Sequence, residues 1–421
     1  MRGKKTLLIL VCLLLGTLVV FAAACGGGTT ASTTATTGGT ATTAAAGGTA
    51  TTTGGATPTG DPLIIGAAVG LTGDAASGDV PLSSAMQYAV EELNKNGGIA
   101  GHPVKLIVKD TKSDPALGAT VANELLQAGA QIMVGPAFPG MAVGVIQAAA
   151  AKNVTVLGGV STQPEYVKVG GAKAYLVAFG DNVQAAAMAD YALKLGYKTV
   201  YTLASPDLSY TAKLPVFFDD VFAKGGGKEI GTDTFSVGQQ DFSPQVTKIA
   251  GLNPKPDCIY TGMFTPDVGI FLKQLRAAGV TTPVIGSDGD DQQALIDFAG
   301  KDAEGLAFTT HGFASPGSDL EKFVQGYTAW NGGKAPEANA FAGLGGDCID
   351  IIKAAVEAAG SLDPKAIGVA LGNLENLKVV TGTITYKGTD GVPLKTVSIA
   401  AVENGKFVLK DQHIPAYIPA Q

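Results

Sequence analysis

Two short loops hold the residues with the clearest capacity for chemistry. Gly135-Pro136-Ala137-Phe138-Pro139-Gly140 follows an apolar run from Gln131 to Val134, and Gly158-Gly159-Val160-Ser161-Thr162-Gln163-Pro164 ends the next one. Both are small, Gly/Pro-punctuated stretches at strand ends, and the second carries two hydroxyls. Free backbone N–H groups and helix N-termini converge at such places, so the chemistry they suit is capture of a small molecule. A catalytic set is not legible. Gly-x-Ser-x-Gly is absent, Gly66 to Gly73 lacks the Gly-x-Gly-x-x-Gly spacing, and His102, His311 and His413 are too scattered for a triad or a metal centre. We therefore expect no enzyme, no cofactor and no metal.

The loops need a rigid alternating scaffold, and the chain from Pro62 onward supplies one. Leu63 to Val69 and Val104 to Val108 read as strands; Leu82 to Asn96, closed by Gly97-Gly98, and Pro115 to Ala128 read as helices. Strands at Gln131, Val154 and Tyr175 continue the rhythm. A second series begins near Asn182: helices 183–195, 212–224, 243–252 and 267–278 alternate with strands 199–203, 229–235, 257–261 and 282–285. Such alternation predicts α/β lobes with parallel sheets covered on both faces. Beyond Gly305 come a strand to Thr310, helices 320–330, 347–359 and 364–371, an alternating stretch Thr381 to Tyr386, and a hairpin of Val397–Val402 with Lys406–Leu409 across Glu403-Asn404-Gly405. At 421 residues with 46% apolar content, two lobes are expected.

The N-terminus carries an address. Arg2, Lys4 and Lys5 precede an uncharged, Leu/Val/Ala-rich run from Thr6 to Ala24, the anatomy of a secretory signal. Ala22-Ala23-Ala24-Cys25 resembles the lipobox of bacterial lipoproteins, with Ala22 departing from its usual Leu; simple cleavage after Ala24 and an uncleaved membrane anchor are the alternatives. Residues 1–24 are thus read as a signal peptide and Cys25 as the lipid-bearing residue. Residues 25–60, almost all Gly, Ala, Thr and Ser, read as a disordered tether. The protein is expected on the outer face of a bacterial cell membrane, touching it through the lipid only. The chain has 29 Lys and Arg against 36 Asp and Glu, and three of those basic residues lie in the first five positions, so nucleic acid is not an expected partner. Cys258 and Cys348 remain in the body and read as two buried thiols, a disulfide being the alternative.

Several stretches in order resemble the branched-chain amino-acid-binding proteins that feed ABC importers: Ile65 to Gly73, Ala89 to Gly101, Val108-Lys109-Asp110, Asp114-Pro115, Asp241-Phe242-Ser243, Lys255-Pro256-Asp257, Gln274 to Gly279 and Ala303-Glu304-Gly305. The resemblance implies a type I periplasmic-binding-protein fold, two Rossmann-like lobes joined by three crossing strands near Val177–Gly180, Thr309–Gly312 and Lys378–Thr381. Lobe 1 would take residues 61–180 and 310–377, and lobe 2 residues 181–309 and 378–421. It also implies an ABC permease as partner and an amino acid or derivative as ligand, bound on hinge closure.

The same resemblance assigns the site. Thr162, in Val160-Ser161-Thr162, matches the family's carboxylate-binding threonine, whereas Pro139 stands where the family has a serine, leaving the Gly140 amide as a substitute. Tyr210 matches a ligand-contacting tyrosine and Phe264 replaces another. Asp288 matches the acid that pairs with the ammonium, with Asp290 or Asp291 as alternatives in the same turn-rich stretch. Selectivity would come from Phe138, Phe264 and the space beside Ser77. A sensing protein of the same fold, for an amide, urea or aromatic acid, is the alternative function; no effector domain or apolar span follows the body, which favours a free binding protein.

Overall fold

β1 (Leu63–Val69) sits in the middle of the first sheet and sends alternate side chains to opposite faces, the period-2 geometry of a strand. Leu63, Ile65, Ala67 and Val69 join one buried core, while Ile64 and Ala68 join another on the reverse side. A strand buried on both faces must read as a continuous apolar run, as this one does. The computed structural model describes residues 58–169 and 174–420. The signal peptide, Cys25 and most of the tether lie outside the described residues.

After β1 come α1 (Ala76–Lys95), β2 (Val104–Asp110), α2 (Pro115–Gln127), β3 (Ile132–Gly135), α3 (Pro139–Ala150), β4 (Thr155–Gly158), α4 (Glu165–Val169) and β5 (Ala174–Leu176). The strands pair in parallel in the order β2-β1-β3-β4-β5. Next are α5 (Asp181–Lys194), β6 (Thr199–Ala204), α6 (Ser209–Lys224), β7 (Lys228–Thr234), α7 (Ser243–Gly251), β8 (Cys258–Thr261), α8 (Asp267–Ala277), β9 (Val284–Ile285), α9 (Gln293–Ala299) and β10 (Ala307–Thr310). The chain ends with α10 (Asp319–Trp330), α11 (Asn339–Ala359), α12 (Pro364–Leu371), β11 (Leu377–Val379), β12 (Gly382–Ile384), β13 (Val397–Glu403) and β14 (Lys406–His413). The second sheet has the order β14-β13-β10-β9-β8-β6-β7. It is parallel from β7 to β10 and closes with the antiparallel hairpin β13–β14.

Each sheet is a sandwich filling. α1, α11 and α12 cover one face of the first sheet and α2 with α3 the other; α7, α8 and α9 cover one face of the second, α5 and α6 the other. Each fully buried Leu, Ile or Val in these four cores contributes roughly 1.5–3 kcal/mol. Cys258 and Cys348 are free, buried thiols in cores belonging to different sheets.

Three sequence expectations are corrected. α1 starts at Ala76 rather than Leu82, carrying Pro81 within it. α11 starts at Asn339 rather than Asp347, because its glycines are a packing requirement: a Cβ on Gly345 would lie 2.4 Å from the Leu82 carbonyl oxygen of α1. The stretch Thr381 to Tyr386 is half of a small hairpin, β11–β12, and Val379, Ile384 and Tyr386 belong to the core shared with β1. Residues 378–391 therefore pack on the first lobe: the Tyr386 hydroxyl donates to the Leu176 carbonyl (2.7 Å), and the Leu176 amide donates to Gly391 (2.9 Å). The third crossing falls just before Val397 instead of near Lys378–Thr381. The other two run through Val177–Gly180 and Thr310–Gly312, between β5 and α5 and between β10 and α10.

Candidate functional site

The carboxyl ends of β1, β3 and β4 face those of β6, β8 and β9, and a cavity opens between them. It holds about 430 Å³ of empty space, open solvent at the mouth included. Asp74, Ser77, Ala137, Phe138, Val160, Thr162, Gln163 and Phe341 line it from the first lobe; Tyr210, Phe264, Asp288, Gly289 and Gln292 line it from the second. Among the described residues, its lining includes no lysine or arginine.

Asp288 follows β9 in a one-turn 3₁₀ helix and is 3% exposed. The Tyr210 hydroxyl donates to its Oδ1 (2.8 Å), and His311 Nε2 lies 3.0 Å from its Oδ2. The Tyr210 oxygen also accepts the Gly289 amide (3.1 Å) and sits 2.7 Å from the Ser287 hydroxyl. Gln184 Oε1 takes the Asp288 amide (3.2 Å) and the Thr309 hydroxyl (2.6 Å), while its Nε2 donates to Asp181 (2.9 Å). Burial pushes the His311 pKa below its ordinary value despite the adjacent Asp288, so the ring is neutral near pH 7. Burial likewise pushes the Tyr210 hydroxyl far above its usual range.

The two alternative acids point elsewhere. Asp290 is fully buried beneath Gly286, where a Cβ would meet its Oδ2 at 2.0 Å, and burial holds its carboxyl well above the usual range. Asp291 accepts the Thr310 hydroxyl and is raised by burial to about 6.

In the first lobe the hydroxyls are already engaged. The Ser161 hydroxyl donates to Gln163 Oε1 (3.0 Å) and does not line the cavity. The Thr162 carbonyl accepts the Asp181 amide (2.6 Å), and its hydroxyl lies beside the Asp181 carboxyl, which burial raises well above the ordinary range. Gly140 is exposed in the first turn of α3 and away from the cavity, and the nearby Ala137 amide is taken by Asp79 Oδ2 at 3.3 Å. Asp79 also accepts the Gly70 amide (2.7 Å), and burial raises it to about 7.

Of the eight residues expected at the site, Phe138, Val160, Thr162, Tyr210, Phe264 and Asp288 come together, whereas Gly140 and Ser161 stay off the wall. Phe138 and Phe264 meet across the cleft with ring centroids 6.4 Å apart, and Tyr210 lies 6.3 Å from Phe264. Gln163, Gln292, Phe341, Asp181 and His311 were not anticipated. His311 directly follows the end of β10, a strand-end position that could have flagged it; Phe341 lies in the turns of α11 that its glycines disguised.

The comparisons agree with this architecture. A family model described as periplasmic binding protein matches residues 62–406. The Leu/Ile/Val-binding protein BraC3 of Rhizobium johnstonii is 28% identical over 348 residues, 82% of this chain and 93% of that protein. The crystal structure of a leucine binding protein, LivK, from Thermotoga maritima superposes with a TM-score of 0.76 at 28% identity, covering 84% of this chain and 99% of that one. A solute binding protein of an ABC transporter from R. palustris in complex with benzoate shares the fold, with a TM-score of 0.73 at 19% identity, covering 85% and 98%.

Proposed function

Because the chain belongs to the periplasmic binding protein family, with the type I fold of its branched-chain amino-acid-binding members, we propose that it is the extracytoplasmic substrate-binding component of an ABC importer and captures an amine-bearing small molecule of the amino-acid class. The observation that carries this is Asp288: a carboxylate 3% exposed, in the cavity wall, held by neutral donors alone. A carboxylate is costly to enclose unless a cation meets it, and the ligand's ammonium is that cation.

Capture follows from the topology. With the lobes apart, ligand enters between the loops after β3 and β4 and those after β8 and β9. Closure brings Phe138 onto Phe264 and the first-lobe Glu165 onto Ser209 and Lys213 of α6, contacts that span the cleft. Ligand biases this closed state by interacting with both walls at once, and the permease then reads closure. Cys25 would moor the domain to the membrane, a reading supported by the lipobox-like Ala22-Ala23-Ala24-Cys25; among the described residues no helix is long and apolar enough to cross a membrane.

Calorimetric titration of the purified protein against amino acids, their amides and aromatic acids tests the ligand class. Tight binding of an amine, lost in Asp288→Ala, is expected. Tight binding of an amine-free aromatic acid that Asp288→Ala leaves unchanged would overturn the reading, and would favour the aromatic-acid alternative that the rings of Phe138, Phe264 and Phe341 could serve.

A further inference from the structure

We propose that the cavity selects a cation without a carboxylate: an alkyl- or arylalkylamine, an amidine or a guanidine rather than a free amino acid. This deepens, and rests on, the amine-binding reading of Asp288.

The first observation is the balance of charge. Asp74 and Asp288 lie in the wall; Asp181 stands directly behind Thr162 and Gln184, and Asp79 directly behind Gly70 and Ala137. The hydrogen-bond partners of Asp288 are a tyrosine hydroxyl and a neutral imidazole, which orient its oxygens without cancelling its charge. A ligand carboxylate would enter beside Asp74 and Asp288 with no basic residue in the lining to receive it.

The second observation is that the first-lobe side-chain donors expected for a carboxylate, and the Ala137 amide, are missing or engaged inside the protein. Pro139 has neither hydroxyl nor N–H to give. The Ser161 hydroxyl serves Gln163, the Thr162 hydroxyl lies beside the Asp181 carboxyl, and the Ala137 amide serves Asp79. Asp79 is fully buried, so a ligand that took the Ala137 amide would strip a hydrogen bond from an enclosed carboxyl. The uncharged polar side chains that remain in the wall, the Ser77 hydroxyl and the Gln163 and Gln292 carboxamides, serve a hydroxyl, amide or ammonium as readily as a carboxylate.

The third is the supply of acceptors and π-faces. Pro81 cannot return an amide to the carbonyl four residues earlier, which belongs to Ser77 in the cavity wall, so α1 leaves that acceptor without its helical partner. Phe138, Phe264, Phe341 and Tyr210 surround the position that Asp288 faces, and aromatic faces attract a desolvated cation while packing against an apolar body.

Matched pairs decide the matter. L-Leucine with 3-methylbutylamine, L-phenylalanine with phenethylamine, and L-arginine with agmatine differ within each pair by the carboxylate alone. Calorimetry on the purified protein at pH 7 should show at least one amine binding tenfold or more tighter than its amino acid, with Asp288→Asn abolishing the heat. An amino acid binding as tightly as its amine or more so, and weakened by Asp288→Asn, overturns this inference while leaving the amine reading intact. Binding indifferent to Asp288→Asn, or no binding by any of the three amines, overturns both. Should Asp288→Asn fail to fold, the wild-type titrations of the three pairs decide alone: an amine binding tenfold or more tighter than its amino acid bears the proposal out, and an amino acid binding as tightly as its amine or more so overturns it.

Discussion

His311 Nε2 lies 3.0 Å from Asp288 Oδ2, both groups enclosed, and the imidazole stacks on Phe179 with ring centroids 3.9 Å apart. His311 belongs to the second crossing between the lobes and Phe179 to the first. The acid in the cavity wall is therefore bonded to one hinge segment, which itself packs against another. Changes at the hinge will be felt at the site.

His311→Phe keeps the stacking and removes the donor. A hydrogen bond to a charged group contributes about 1.5–3 kcal/mol, so ligand affinity should fall by roughly tenfold to a hundredfold, while His311→Gln, which retains an N–H, should lose less. Calorimetry on both variants checks this; equal affinity in His311→Phe and wild type would show that the bond does not orient Asp288.

The same residue makes stability pH-dependent. Burial depresses the folded-state pKa of His311 below its ordinary 6.5, so its contribution is present above that value and is lost as pH falls through and below it. Asp288, Lys395 and Asp347 are the charged groups that act on the ring. The thermal midpoint of wild type should therefore drop between pH 7 and pH 5 more steeply than that of His311→Gln.

Lys395 and Asp347 form an ion pair at 2.8 Å, the two side chains 1% and 0% exposed, beside the third crossing. Asp347 also accepts the Thr381 amide (2.9 Å) and hydroxyl. Lys395→Met leaves a buried carboxylate without its cation and should cost about 3–5 kcal/mol; Lys395→Met with Asp347→Leu should recover most of it, because desolvation offsets much of a buried pair's attraction. Urea midpoints of the single and double variants measure both.

Asp219 on α6 is a neighbour of Glu229 on β7, and burial, followed by that second carboxyl, raises Asp219 to about 8. A carboxyl whose folded pKa is raised contributes most below its unfolded value of 3.8 and loses that contribution as pH climbs to about 8. Asp219→Asn should flatten the fall in melting temperature between about pH 4 and pH 8. An unchanged slope would remove the pair from the account.

Two glycines in helices should answer oppositely to alanine. Gly345→Ala places a Cβ 2.4 Å from the Leu82 carbonyl oxygen and 2.9 Å from Ala85 Cβ, forcing α11 off α1 at a cost of about 1–3 kcal/mol or more. Gly251→Ala, at the end of α7, meets nothing within 4 Å and should be neutral or stabilise by about 0.4–1 kcal/mol. Denaturant midpoints distinguish them.

Much of this protein was legible in its sequence, because the signals there are local. Continuous apolar runs such as Leu63 to Val69 and Gly/Pro stops after them follow from strand burial and turn sterics within a few residues, so the two α/β lobes could be read. Strand ends likewise marked the stretches that supply Thr162 and Asp288. What the tertiary structure decided were relationships between distant residues. The glycines that hid the start of α11 are explained by α1 more than 250 positions earlier, and the β11–β12 hairpin joins the first lobe through Tyr386 reaching back to Leu176. Within the site, residue type could not say whether a hydroxyl faces ligand or protein. Thr162 lines the cavity, while Ser161, its neighbour, turns to Gln163, since hydrogen-bond partners are settled by which buried groups the fold brings into reach.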